Sequence, residues 1–217
     1  MSYCILTPNY ANNYAYISMS KWLLIIICFL ISCSTSSYHY THTPINTAQP
    51  KIIPVYIDTT FSRDQKAAIY KVVGEWNVVL NGYVKLDIVS SSFDMDEANL
   101  YTITTTRSIT ILNIDSRSNI IPPAAREGEV IDAFCYMERW IYMISDRMDD
   151  MTKFSGVLRH EISHALRGNH IPRAKHLSLM NPIYSDEGNA CIDYWTIEEV
   201  AKENSLDPQK LNYCTRD

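Results

Sequence analysis

The chain has 217 residues, of which 47% are hydrophobic and 20% charged, enough apolar material for one folded domain and too little charge for a disordered one. A formal net charge of −5 speaks against a nucleic-acid partner, because phosphate binding needs a surplus of Lys and Arg on one face. A peptide substrate stays open.

The first stretch has the order of an export signal. Met19-Ser20-Lys21 is a short basic start, Trp22 to Ile31 is an unbroken apolar run, and Leu30-Ile31-Ser32-Cys33 ends at a cysteine. The run is about half of what crosses a bilayer as a helix. These residues resemble the bacterial lipobox, in which the peptide is cut before a cysteine that is then acylated. The resemblance implies a signal peptide over 1–32, lipid on Cys33, and a protein held at a bacterial membrane facing the periplasm or exterior, with Ser34 favouring the outer membrane. Residues 1–18 read as sequence upstream of the true start. Ser34 to Gln49 is rich in Ser, Thr and other polar residues, so 33–50 is expected to be a lipidated cysteine and flexible tether, with His39 and His42 idle in it.

The folded part is expected over 51–217. Ile52 to Ile57 suits a strand, and the apolar residues Ala68, Ile69, Val72, Val73, Trp76 and Leu80 recur at helical steps over Asp64 to Leu80, stopped by Asn81-Gly82. Val84 to Val89, Ser108 to Ile114 and Trp140 to Ser145 read as strands, with a loop over Ile120 to Val130. A second helix starts after Asp149-Asp150. A third, Ile197 to Asn204, is expected to open on the capping-box pair Thr196 and Glu199. This order describes an α+β domain. Three cysteines fall in it, so at most one disulfide forms among them; Cys191 with Cys214 is the expected pair, and pairing through Cys135 stays open.

His160-Glu161-Ile162-Ser163-His164 carries the chemistry. Residues four apart share a helical face, so both histidines can meet one ion while Glu161 stands beside it as a base. Zinc takes three such ligands and leaves a fourth place for water. His170 comes six residues later, and Ser178 to Tyr184 shortly after. These segments resemble the metzincin zinc proteases, whose motif is HExxHxxGxxH followed by a methionine-containing turn. Met180, Pro182 and Tyr184 are similar to the Met-x-Pro-x-Tyr segment of the matrix metalloproteinase branch.

The resemblance implies a twisted sheet with two helices, a cleft, and a small lower part with a third helix. It also implies a monomeric zinc endopeptidase acting on extracytoplasmic proteins, with His160, His164 and His170 as ligands and Glu161 as general base. Met180 would floor the metal, and Pro182 to Tyr184 would line a substrate pocket. The alternative is a non-catalytic metal-binding lipoprotein that keeps the fold for binding proteins. The family's glycine falls at Arg167 here, and glycine comes one place later. His170 can reach the ion only if the chain leaves the helix after His164. Gly168-Asn169 are the residue types expected to take the positive φ, with Arg167 as the last helical residue and His176 as the rival ligand.

Overall fold

A computed structural model describes residues 38–89, 107–122, 130–148, 150–172 and 175–216. The expected signal peptide, Cys33 and most of the loop over 120–130 lie outside them. Strand β1 is Tyr38–Tyr40, β2 Lys51–Ile57, β3 Val84–Ile88, β4 Ile109–Ile114, β5 Ala133–Tyr136, β6 Trp140–Ile144 and β7 Cys214–Arg216. The helices are α1 Arg63–Val79, α2 Met151–Ala165 and α3 Tyr194–Glu203.

Five strands form one sheet in the order β3-β2-β4-β6-β5. All neighbours are parallel except β5, which runs antiparallel to β6 at the edge. The result is a mixed sheet with helices, compatible with an α+β class. Its core follows from periodicity. Alternate residues Ile53 and Val55, Val84 and Leu86, Ile109 and Ile111, and Ile141 and Met143 are buried. They join one cluster with Ile69, Val72, Val73 and Trp76 of α1 and Phe154, Leu158 and Ile162 of α2. Helix α1 opens on a reciprocal cap: Ser62 Oγ accepts from Gln65 N–H, and Gln65 Oε1 accepts from Ser62 N–H. It ends where Asn81 and Gly82 both take positive φ.

Helix α2 is buried on almost every side, including its polar residues. Arg159 makes a two-pronged ion pair to Glu75 of α1, at 2.5 and 3.1 Å, and also donates to the Asn189 carbonyl. At Gly156 a side chain would begin 2.9 Å from the Tyr184 ring and 3.0 Å from Asn189, so the helix approaches the segment beyond the third histidine more closely than any Cβ allows.

Two expectations are corrected. Residues 38–49 are no free tether: β1 pairs antiparallel with β7, Thr43 bonds the Asn212 side chain, and Asn81 Nδ2 donates to Thr43 Oγ1, Pro44 O and Lys210 O. The polar composition that suggests a linker supplies partners for the backbone at the end of α1. Helix α3 begins three residues earlier than Ile197, capped by Asp193, whose carboxylate accepts from Trp195 and Thr196 N–H. A carboxylate serving two amides takes the place of the expected Thr196 and Glu199 box. Nearby, a disulfide joins Cys191 to Cys214, and Cys135 is free.

Candidate metal centre

Asp150 caps α2 by accepting from Thr152 N–H at 2.7 Å. The helix then runs to Ala165 and places His160 and His164 one turn apart. The way the helix stops decides whether His170 can join them. Leu166 caps it and Arg167 takes a left-handed conformation with φ +72°. Arg167 N–H donates to the His164 carbonyl at 2.9 Å and Gly168 N–H to the Ser163 carbonyl at 2.8 Å. This pair of bonds is a Schellman stop with Arg167 at its left-handed position.

The expected order is therefore corrected: Arg167, not Gly168-Asn169, carries the positive φ, at the place where the zinc-protease motif has glycine. Gly168 is needed for space, since a Cβ there would collide with Ser163 Oγ. An ion pair from Arg167 Nε to Glu138, 2.6 Å long, holds the strained residue from outside.

The turn brings three imidazoles together. Their Nε2 atoms stand 3.1 Å (His160 to His164), 3.2 Å (His160 to His170) and 3.1 Å (His164 to His170) apart. Their other nitrogens reveal what they offer. His160 Nδ1–H donates to the Leu179 carbonyl at 2.7 Å and His164 Nδ1–H to the Gly168 carbonyl at 2.8 Å. A carbonyl can only accept, so in the neutral rings both Nε2 atoms are lone pairs. Lone pairs converging on one point repel unless a cation lies between them. Burial, and then the neighbouring imidazole, press His160 down to about 3; burial presses His164 down to about 4 and also lowers His170. Protonation is thus disfavoured as a way to relieve the repulsion. Zinc bonded to nitrogen at about 2.0–2.1 Å in a tetrahedron sets its ligands about 3.3 Å apart, close to the spacing seen. The donor set fits such an ion.

Glu161 stands on the adjoining face, 6% exposed. One carboxylate oxygen accepts from the Cys135 backbone N–H, while Oε2 is buried without a partner. Burial raises this carboxyl to about 8. The ionised form is favoured by any cation held between the imidazoles. These residues line a cleft of about 1110 Å³ that also includes Ile131 to Cys135 of the sheet edge and Pro182 to Tyr184.

The chain matches no family model and no curated protein. Several of the supports of the centre are backbone groups. Ser178 to Asn181 forms a tight turn closed by Asn181 N–H to the Ser178 carbonyl. The Leu179 carbonyl of that turn orients His160, and the Met180 carbonyl accepts from Ile171 N–H, fixing the residue after His170. Met180 itself is fully buried and forms no part of the cleft wall. Asp193 binds Ser178 Oγ and Leu179 N–H, and Asn181 binds Ser178 N–H and the Ile171 and His176 carbonyls. The rival ligand His176 lies flat on Trp195, with ring centroids 3.7 Å apart, and is not in the triad. Asp193, Asn181 and the Cys135 amide are functional supports that sequence reasoning missed. Only Asp193, an Asx residue just before a helical run, leaves a readable signal.

Proposed function

We propose that this chain is a zinc-dependent endopeptidase of the metzincin type, closest to the matrix metalloproteinase branch. The observation that carries the reading is the convergence of three imidazole Nε2 atoms, those of His160 and His164 being lone pairs, beside a buried carboxylate with an unpartnered oxygen. The order of a mostly parallel sheet with one antiparallel edge strand, two packed helices and a third helix below is in keeping with that family.

His160, His164 and His170 would hold the ion, which when bound supplies a Lewis acid for the scissile carbonyl and lowers the pKa of a water to about 7. Glu161 would accept a proton from the attacking water and deliver it to the leaving amine. The Cys135 amide aims the carboxylate, and the Leu179 and Gly168 carbonyls hold the rings with Nε2 forward. Strand β5 presents an edge with no second neighbour among the described strands, and its residues line the cleft. An extended peptide can add to that edge by main-chain hydrogen bonds. Pro182 to Tyr184, which also line the cleft, would receive a side chain.

Glu161→Ala should keep zinc and lose cleavage of denatured protein, because the carboxylate acts as a base and not as a ligand. Equal cutting by the variant would sink the mechanism. For location, acylation at Cys33 and attachment to a bacterial membrane complete the proposal, resting on the apolar run and Leu30 to Cys33. Cys33→Ala should abolish labelling by a fatty-acid analogue; undiminished labelling would exclude the anchor.

A further inference from the structure

The Leu179 carbonyl receives His160 Nδ1–H, so whatever fixes Leu179 also fixes the direction of that ring. Two side chains hold this residue. Asp193 accepts its N–H at 2.7 Å, and Asn189 Nδ2 donates to its carbonyl at the longer distance of 3.5 Å. Asn189 and Asp193 stand two residues either side of Cys191, the residue bonded to Cys214. On the far side of that bond, Cys214 lies in β7, which pairs with β1, bridges to Asp193 and gives its N–H to the Ile192 carbonyl at 2.8 Å. The disulfide therefore anchors the clamp on Leu179 to the strands of both chain ends.

A plain structural role would be added stability, which any such loop closure brings. The placement argues for more. Neither Cys191 nor Cys214 belongs to the main apolar cluster, whereas Ile192, Ile197 and Val200 do, so the fold around the staple keeps its apolar anchors when the bond is open. What the bond adds is a tether on the polar clamp. Cys214 is buried and Cys191 only half-buried, which makes Cys191 the way in for an outside thiolate.

We propose that the Cys191–Cys214 disulfide is a redox-sensitive positioning bond for the metal centre: closed, it sets the Leu179 carbonyl for His160; open, it loosens the clamp and weakens zinc binding. The inference rests on the zinc reading of the three histidines, but not on cleavage. Closure joins two thiols in one S–S bond, and the two electrons and two protons pass to a disulfide oxidant, which becomes two thiols. In reverse, a dithiol reductant attacks the Cys191 sulfur, Cys214 leaves as the thiolate and takes a proton, and the second thiol of the reductant resolves the mixed disulfide. The centre is thus loose in a reducing cytoplasm and sets in an oxidising compartment.

The test titrates zinc against a chromogenic chelator in the full-length parent and in Cys191→Ser/Cys214→Ser, both free of reductant. The serine pair should bind zinc about tenfold more weakly, the lower end of what is lost with a group that orients a metal ligand. Trp76→Ala, a core substitution away from the clamp, controls for stability, and its folded fraction should match the parent. The parent reduced by a phosphine, which is then removed, should show the same weakening and regain its affinity on oxidised glutathione, while the serine pair responds to neither. Cys191→Ala with Cys214→Val, which fills the place of the buried sulfur, replaces the serine pair if that fails to fold, and the reduced parent decides the matter if neither pair folds. Unchanged affinity, a weakening no larger than that of Trp76→Ala, or unfolding of the reduced parent overturns the proposal. A parent that binds no zinc overturns the metal reading with it. Zinc binding that follows the disulfide without cleavage by either form removes the peptidase reading and leaves the positioning bond standing.

Discussion

The sheet with α1 and α2 on one side, and the irregular stretch from Leu166 to Ile192 on the other, are held by different forces. In the first, apolar side chains repeat with the period of the element that carries them, and Trp76, Ile69 and Phe154 are wholly buried. In the second, few residues repeat at all. Order comes from polar side chains that satisfy backbone groups one by one: Asn181 with three bonds, Asp193 across the turn and the start of α3, and Asn189 Oδ1 receiving Ser185 N–H. The contrast explains how a chain can hold His170 against the two helical histidines from a segment that has no regular structure. Every bond there fixes a backbone position as well as adding stability.

The contrast can be broken by matched substitutions. Trp76→Ala should cost the most, about 3–5 kcal/mol of unfolding free energy in urea, the usual loss for a large aromatic in a closed core. Its zinc affinity, measured on the folded fraction, should stay near that of the parent. Asn181→Ala should cost less, about 2–3 kcal/mol, since it orphans buried backbone groups without opening so large a void. Zinc affinity should fall along with it, because the turn that orients His160 and Ile171 loses its tie. Should Trp76→Ala weaken zinc binding more than Asn181→Ala, the division between the two regions would not hold.

The smallest effect is expected at Arg167→Gly. Glycine removes a left-handed strain of about 1 kcal/mol, and the half-exposed ion pair to Glu138 that it gives up is worth about 0–1 kcal/mol. A thermal melt should move little and, if anything, upward. A loss well beyond about 1 kcal/mol would mean that the Glu138 pair, rather than the helix stop, positions His170.

Legibility in the sequence divides along the same line. Helix α1, strands β2, β3, β4 and β6, and the start of α2 are all visible as periods and caps. So is the pentapeptide His160 to His164, because a helix converts spacing directly into direction. Strand β5 is not visible: Ala133 to Tyr136 is too short to show a period. Its turn relies on positive φ at Met137 and Glu138, neither a residue type that advertises it. The helix stop reads one residue too late for a related reason. Glycine is the usual sign of a left-handed residue, but Gly168 answers to the nearness of Ser163 while an arginine bears the φ. Composition misleads in the same way over 38–49, where Thr43 and Asn46 look solvent-seeking and are in fact bonded to the folded body.

The pairing of β1 with β7 has a mechanical consequence. Tension applied at Tyr38 is taken up first by the β1–β7 ladder, from Tyr38 opposite Arg216 to Tyr40 opposite Cys214. Cys214 is covalently joined to Cys191, two residues before the Asp193 cap that also grips Leu179. A pull on the N-terminal end is therefore borne by a strand and a covalent bond before it can reach the turn that aims His160. The staple thus ties the N-terminal ladder to the segment that holds the turn beneath His160.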